Sequence, residues 1–141
     1  MSTPTTAGHG IALVAHDGRK SDLRDWARTN RHSLTQHRLY ATGTTGRMLN
    51  AQVGLTVHCL HSGPLGGDQQ IGARIVEGDI DMLIFFWDPL TNHPHTSDVQ
   101  ALQRLATLRN IPTAYNARTA QYLMTSPLMK PNHDTTTTVP T

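Results

Sequence analysis

Five short apolar runs, separated by polar and helical segments, are the feature of this sequence that most constrains its fold. The runs are Ile11 to Ala15, Arg38 to Ala41, Thr56 to Leu60, Met82 to Phe86 and Pro112 to Tyr115. Each has the length of a β-strand, and a nearly continuous apolar character is typical of strands that are covered on both faces. The alternation predicts an open α/β sandwich, in which a parallel sheet lies between layers of helices.

Apolar spacing and end signals predict the helices between these strands. The first predicted helix contains Leu23, Trp26 and Ala27, and the second lies between Gly67 and Gly78. The third follows an N-cap at Ser97 and Asp98 and packs through Val99, Leu102, Leu105, Ala106 and Leu108. The last spans Thr119 to Met124. The length of 141 residues fits one domain. We expect residues 10–127 to form it, with polar, disordered tails at residues 1–9 and 128–141.

Composition excludes several functional classes. The longest unbroken apolar run, Met82 to Trp87, is far shorter than the ~20 residues of a membrane-spanning helix, and the polar first ten residues lack the apolar core of a signal peptide. We therefore expect a cytoplasmic protein without a membrane partner. The net charge of +2 and the dispersed arginines do not favour a nucleic-acid partner. The single cysteine, Cys59, rules out an intramolecular disulfide and a four-cysteine zinc site.

Polar, titratable and glycine residues gather in the segments that follow the predicted strands. In a parallel sheet these segments share the edge at which ligands bind. They are His16 to Lys20 after the first strand, Thr42 to Gly46 after the second, Ser62 to Gln69 after the third, and Asp88, His93, His95 and Asp98 after the fourth.

The Thr42 to Gly46 segment has the composition of a phosphate cradle, because glycines turn backbone amides toward an anion and threonine hydroxyls add donors. It matches neither the Walker-A nor the dinucleotide pattern, and a turn with a helix N-cap explains it equally well. Asp68, after two glycines at a predicted helix start, is either a catalytic base or a carboxylate stabilised by the helix dipole. Asp88, at the end of an apolar strand, is either functional or a buried structural acceptor.

Histidine is abundant, with nine residues in the chain. Asp17 beside His16 and Asp98 near His95 indicate that these two rings are oriented acids or bases. His58, Cys59 and His61 do not predict a metal site, because consecutive strand residues point to opposite faces. The histidines that we expect on the exposed surface are His9, His32, His37 and His133.

Several longer stretches resemble the methylglyoxal synthase family. They are IALVAHD at Ile11 to Asp17, LYATGTTG at Leu39 to Gly46, SGPLGGDQQIGA at Ser62 to Ala73, IDMLIFFWDPL at Ile80 to Leu90, and RNIPTAYNARTAQYL at Arg109 to Leu123. The resemblance covers roughly residues 10 to 127, and ungapped motifs of this length are far more specific than a single loop.

The resemblance implies a three-layer α/β/α fold with a doubly wound, five-stranded parallel sheet of the flavodoxin-like open kind. It also implies a lyase that converts dihydroxyacetone phosphate to methylglyoxal and inorganic phosphate without metal or organic cofactor, assembled as a homohexamer and commonly inhibited by phosphate. By resemblance, Asp68 is the catalytic base, His95 polarises or protonates the enediol oxygen, and Asp88 and Asp98 are supporting acidic residues. The implied substrate-binding positions are His16, Lys20, Thr42, Gly43, Thr44, Thr45, Ser62, Gly63 and His95.

One departure from the family and two other functions bear on this expectation. Family members usually continue into a basic C-terminal helix, whereas only Lys130 is basic after Arg118 here, which affects the C-terminal phosphate contact, substrate affinity and assembly.

Related α/β domains serve as effector-binding regulatory domains without catalysis, and a phosphate cradle alone fits that role. Triose-phosphate isomerisation would use similar acid and base residues. Asp68, Asp88 and His95 together favour an enzyme, and product identity would separate the lyase from the isomerase.

Overall fold

A five-stranded parallel sheet forms the centre of the protein, as the sequence pattern predicts. The computed structural model describes residues 8–61, 66–90 and 96–129, with the backbone alone at residues 96–98. The strands are β1 (Gly10–Ala15), β2 (Arg38–Ala41), β3 (Val57–Cys59), β4 (Met82–Phe86) and β5 (Thr113–Ala114). They are arranged β3-β2-β1-β4-β5. The doubly wound prediction is confirmed, although flavodoxin itself has the order β2-β1-β3-β4-β5.

The central strand β1 is buried over its whole length. It pairs in parallel with β2 on one side and with β4 on the other. Successive side chains point to opposite faces of a strand. Ile11 and Leu13 accordingly pack into the core on one face of the sheet, and Ala12 and Val14 pack into the core on the other. Both faces are apolar because helices cover both.

Helices form a layer on each face of the sheet. They are α1 (Lys20–Thr29), α2 (Arg31–Leu34), α3 (Gly43–Gln52), α4 (Gly67–Glu77), α5 (Thr96–Leu108) and α6 (Ala117–Met124), and two 3-10 turns span Asp17–Arg19 and Pro127–Met129. The first core contains residues of α1, α2, α3 and α6, and the second contains residues of α4 and α5. None of the described helices is long and apolar enough to cross a membrane.

The secondary structure differs from the prediction at several points. Helix α2 was not predicted, α5 begins at Thr96, before the predicted N-cap at Ser97 and Asp98, and α6 begins at Ala117, not at Thr119.

Gly43–Gly46, predicted as a loop, form the first turn of α3, so tertiary packing overrides the low helix propensity of glycine. Strands β3 and β5 are shorter than the apolar runs that predict them. Leu108, predicted to pack, is 74% exposed, because it lies about 120° around α5 from the buried Leu102.

A histidine pair lies near the start of β1 and β2. The main-chain N–H of His9 donates to Nδ1 of His37 at 2.9 Å, and the two rings stack with centroids 5.5 Å apart. His9 also places Nδ1 at 3.4 Å from Oδ1 of Asp81 and Nε2 at 3.3 Å from the carbonyl oxygen of Leu128. The prediction that His9 and His37 are exposed is therefore wrong, since both are partly buried, whereas the exposure of His32 is confirmed. His133 lies outside the described residues.

This pair makes the stability of the fold depend on pH. Burial, and then the positive charge of His9, lowers the pKa of His37 from 6.5 to about 4. Its stabilising contribution is therefore present above its unfolded-state pKa and is lost as the pH falls toward the folded-state value, because only the unfolded chain takes up the proton in that range. The hydrogen bond to Asp81 raises the pKa of His9. The contribution of His9 has the opposite sign, since it is lost as the pH rises through its raised pKa.

Replacement His37→Asn tests this pH dependence. Asparagine does not titrate, and its side-chain oxygen can accept the His9 N–H. Between about pH 7 and pH 5, the free energy of unfolding should fall by about 1 kcal/mol more in the wild-type protein than in the variant, with the partial exposure of the ring taken into account. Urea denaturation at both pH values measures the difference. The exposed His32→Asn is the control and should follow the wild type; a His37→Asn profile parallel to the wild type would contradict the prediction.

Candidate active site

The carboxyl ends of β1 and β4 form the switch point of the sheet. From β1 the chain moves to β2 and β3 on one side, and it then returns to β4 on the other. Connections that leave neighbouring strands in opposite directions open a crevice beyond the strand ends, where open α/β sheets bind ligands. The segments that carry the predicted residues His16 and Asp88 follow these two strands.

Lys20 connects the segment after β1 with the first turn of α3. Its Nζ lies 3.0 Å from Oδ1 of Asp17 and donates a hydrogen bond to Oγ1 of Thr44 at 2.8 Å. The Lys20 side chain is 26% exposed, so its charge is partly shielded from solvent. A cation therefore stands at the amino-terminal end of α3, where the helix dipole also favours an anion.

The first turn of α3 presents desolvated hydroxyl groups. Thr42 and Thr45 are buried, whereas Thr44 is exposed. Within the described part of the chain, Oγ1 of Thr45 has no hydrogen-bond partner, and the side chain of the N-cap residue Thr42 makes no capping bond. A buried hydroxyl without a partner lowers stability by an amount on the order of 1–3 kcal/mol. An oxyanion bound at this turn would supply the missing acceptor.

Asp68 lies in the first turn of α4, next to this part of α3. Gly66, which precedes the helix, has the left-handed backbone conformation with φ 101°. Gly67 packs so closely on the end of β3 that a Cβ atom there would lie 1.9 Å from the carbonyl oxygen of His61 and 2.8 Å from Cγ2 of Thr42. This contact sets the start of α4 against the N-cap of α3. It therefore brings the partly buried Asp68 to the same edge of the sheet as Lys20.

His16 and Asp88 meet across the switch point. The main-chain N–H of His16 donates to the carbonyl oxygen of Phe86 at 3.2 Å, and the main-chain N–H of Asp88 donates to Nδ1 of His16 at 3.0 Å. Oδ1 of Asp88 accepts the N–H of Leu90 at 3.2 Å. The Asp88 carboxylate thus shapes the turn after β4, and it is partly buried, not fully buried as the structural alternative expects.

The structure places most of the predicted residues at one edge of the sheet. These are His16, Lys20, Thr42, Gly43, Thr44, Thr45, Asp68 and Asp88. Ser62, Gly63 and His95 lie outside the described residues, and so does the side chain of Asp98, whose backbone belongs to the first turn of α5. The roles predicted for all of these site residues stay predictions.

Two supporting contacts were not predicted from the sequence. Oε1 of Gln70 accepts the main-chain N–H of His61 at 2.8 Å, which ties the end of β3 to α4. The ring of Phe85 packs edge-on against the ring of His16, with centroids 5.2 Å apart. The sequence predicts Phe85 as a core residue of β4. The alternation of faces along β4 could have indicated that its ring lies near His16, which follows the neighbouring strand β1. No sequence signal indicates the role of Gln70.

A large cavity lies close to this edge without containing any predicted site residue. It has a volume of about 700 Å³, and its wall includes Arg19, Trp26, Phe86, Trp87 and Tyr115. Size alone therefore does not identify the candidate site. Arg19, Asp22 and Asp25 also line this cavity, so charge alone does not separate it from the candidate site. The candidate site is distinguished by Lys20 at the start of α3 and by the buried Thr45 hydroxyl, which has no partner among the described residues.

Comparison with known proteins identifies the family. The family model described as "MGS-like domain" matches residues 22–115. Among curated proteins, the methylglyoxal synthase of Leptospira interrogans is 56% identical over 117 residues, which cover 83% of this chain and 79% of that protein. The methylglyoxal synthase of Pectobacterium atrosepticum is 58% identical over 120 residues, covering 85% of this chain and 79% of that protein.

A solved structure agrees with these sequence matches. The crystal structure of methylglyoxal synthase from Elizabethkingia anophelis NUHP1 superposes with a TM-score of 0.84 at 47% sequence identity, and the match covers 88% of this chain and 82% of that one. Fold, family model and relatives agree on the family, and the family model covers Thr42 to Thr45, Asp68 and Asp88 but begins after His16 and Lys20. The chain belongs to the methylglyoxal synthase family.

Proposed function

We propose that this protein is a lyase that converts dihydroxyacetone phosphate into methylglyoxal and inorganic phosphate. Membership of the methylglyoxal synthase family supports the reaction class. One observation carries the proposal: the close packing of Gly67 on the N-cap of α3 places the Asp68 carboxylate, in the first turn of α4, at the edge of the sheet where Lys20 and the buried Thr45 hydroxyl offer partners for a phosphate. A base beside an anion site is what elimination of phosphate requires.

The reaction begins with proton removal. Asp68 takes a proton from the carbon next to the substrate carbonyl, and the electron pair of that C–H bond forms the carbon–carbon double bond of an enediolate. Negative charge develops on the former carbonyl oxygen. In this proposal His95, supported by Asp98, donates to that oxygen, and His16 adds a further contact with the substrate.

Phosphate then leaves with the electron pair of its carbon–oxygen bond. The bond breaks readily when it stands perpendicular to the plane of the enediol, because it then overlaps the π system. Holding the phosphate out of plane is therefore the task of Lys20 and of the Thr42 to Thr45 turn, with Ser62 and Gly63 as further predicted contacts. As phosphate departs, the terminal hydroxyl of the enediolate gives its proton to the phosphate and becomes the aldehyde carbonyl, and the double bond moves to the carbon that carried the phosphate. Asp68 returns its proton to the oxygen of the resulting enolate, and the released enol rearranges to methylglyoxal by moving that proton to its terminal CH₂ carbon.

The finer properties rest on the family resemblance and stay part of the proposal. They are a catalytic domain at residues 10–127, a cytoplasmic location and assembly as a homohexamer with phosphate as inhibitor.

The competing role is that of an effector-binding domain without catalysis. Incubation of the metal-free protein with dihydroxyacetone phosphate, followed for both inorganic phosphate and the dicarbonyl product, separates the two. Equal appearance of both products supports the lyase, whereas binding without either product supports the effector domain.

Replacement Asp68→Asn tests the assignment of the base. The variant keeps the shape of the side chain at the start of α4 and removes its basic oxygen. We expect kcat to fall by about 10²-fold to 10⁴-fold, while inorganic phosphate still binds because its partners remain. Product assays and calorimetric phosphate titration measure the two quantities. Asp22→Asn, at an exposed residue of α1 that pairs with Arg19 at 3.2 Å, is the matched control. Turnover by Asp68→Asn close to that of the control would rule Asp68 out as the base.

Replacement Lys20→Met tests the phosphate contact. Loss of a charged hydrogen bond should raise KM and the dissociation constant for inorganic phosphate by about 10-fold to 100-fold. Arg28→Met removes an exposed cation from the same helix, 3.9 Å from Asp25, and is expected to leave both constants near the wild-type values. An equal effect of the two substitutions would mean that only net charge matters, against a specific role for Lys20.

A further inference from the structure

The ring of His16 is held at the switch point by contacts with β4 and the residues that follow it. Its main-chain N–H continues the pairing of β1 with β4 by donating to Phe86, and its Nδ1 accepts the main-chain N–H of Asp88 at 3.0 Å. The ring also meets the buried ring of Phe85 edge-on, at an interplanar angle of 78°. Backbone and side chain of His16 are thus both tied to β4, so the ring has little freedom to turn.

The bond from Asp88 determines which ring nitrogen of His16 carries the proton. A backbone N–H can only donate, so Nδ1 must offer its lone pair. An imidazolium ion has no lone pair on either nitrogen, and the other neutral tautomer has a proton on Nδ1. Only the neutral ring with its proton on Nε2 satisfies this bond.

We propose that the main-chain N–H of Asp88 fixes His16 as the neutral Nε2–H tautomer, so that His16 serves the reaction as a hydrogen-bond donor to the substrate and Asp88 acts as the residue that positions it. This inference rests on the proposed function and makes the role of the site more specific. A ring in this state cannot act as a base without breaking its bond to Asp88. Proton removal therefore stays with Asp68, and His16 stabilises charge on a substrate oxygen.

The carboxylate of Asp88 supports this role by shaping the backbone. Its Oδ1 accepts the N–H of Leu90 and closes the turn that carries the Asp88 amide. On the other side, a Cβ atom at Gly18 would lie 2.7 Å from Oδ2 of Asp88, so the carboxylate packs directly on the segment after β1. One carboxylate thus contacts both segments that meet at His16. Its charge need not take part in the proton transfers, because an uncharged oxygen can accept the same N–H.

Nuclear magnetic resonance of the full chain with ¹⁵N-labelled histidine tests the tautomer directly. Comparison with the spectrum of His16→Gln identifies the His16 signals among the nine histidines. We expect one ¹⁵N signal of a protonated nitrogen at Nε2 and one of an unprotonated, hydrogen-bonded nitrogen at Nδ1. A proton on Nδ1, or an imidazolium at the assay pH, would overturn the proposal. The spectrum needs no turnover, so its outcome is independent of whether the protein makes methylglyoxal.

Two amide substitutions then test the donor role. Glutamine carries an amide N–H group close to the position of Nε2, whereas asparagine carries its amide close to the position of Nδ1. We expect kcat/KM of His16→Gln to exceed that of His16→Asn by about tenfold or more. Equal losses, or a more active His16→Asn, would contradict donation from Nε2. Absence of methylglyoxal formation by the wild-type protein would instead contradict the proposed function.

Replacement of Asp88 separates positioning from proton transfer. Asp88→Asn keeps an oxygen acceptor for Leu90, and Asp88→Ala removes it. We expect Asp88→Ala to lower kcat by about tenfold more than Asp88→Asn and to weaken the Nε2–H signature of His16, which Asp88→Asn preserves. Equal loss of kcat in the two variants, with the His16 signals unchanged in both, would show that the charge of Asp88 acts on the reaction directly.

Discussion

The parallel pairing of β1 with β4 is the interaction on which the rest of the structure depends. Both strands are fully buried, and each contributes alternate side chains to the two cores, so their pairing joins the two helical layers. The chain also leaves these strands in opposite directions, which opens the crevice at their carboxyl ends. The same hydrogen-bonding pattern that stabilises the fold therefore determines where a ligand can bind. His16 extends that pattern from the sheet into the site.

The candidate site combines a paired cation with a buried hydroxyl group that has no partner among the described residues. Lys20 is held between Asp17 and Thr44, with part of its charge shielded from solvent. The buried Thr45 hydroxyl lacks a partner among the described residues, although burial without a hydrogen bond is unfavourable. The Thr45 hydroxyl is therefore already desolvated before a substrate arrives, whereas the contacts of Lys20 are open to solvent. Burial of this hydroxyl without a partner instead lowers the stability of the protein when no ligand is bound.

The sequence predicts the sheet well because its strands are apolar on both faces, a property visible as continuous runs. It also predicts the collection of site residues at one edge, since parallel strands end at the same side. It predicts less well where packing competes with local preference. The glycines of Gly43 to Gly46 indicate a loop, yet contacts with the end of β3 hold them in a helical turn.

Hydrogen bonds made by main-chain groups are the contacts that sequence patterns do not predict. The role of Asp88 depends on its main-chain N–H, and a residue type says nothing about the partner of that group. The pairing of His9 with His37 joins residues 28 positions apart, which no local pattern indicates. Sequence analysis considers Asp88 only for its carboxylate, and it wrongly predicts that His9 and His37 are exposed. Asp88 and His9 instead contribute through their main-chain N–H groups, which the fold brings next to the ring nitrogens of His16 and His37.

The glycines of the site have a consequence for any attempt to stabilise this protein. Gly43, Gly46 and Gly67 lack the positive φ that makes glycine necessary in a turn, so alanine would suit their backbone angles and stiffen the unfolded chain. Each nevertheless lies against a neighbour, with Cys59 Sγ only 2.5 Å from where a Cβ of Gly46 would stand. Substitutions chosen by backbone angle alone would therefore push apart the elements that these glycines allow to touch. At Gly46 and Gly67, small size is the property that must be retained, whereas at Gly66 it is the left-handed backbone conformation.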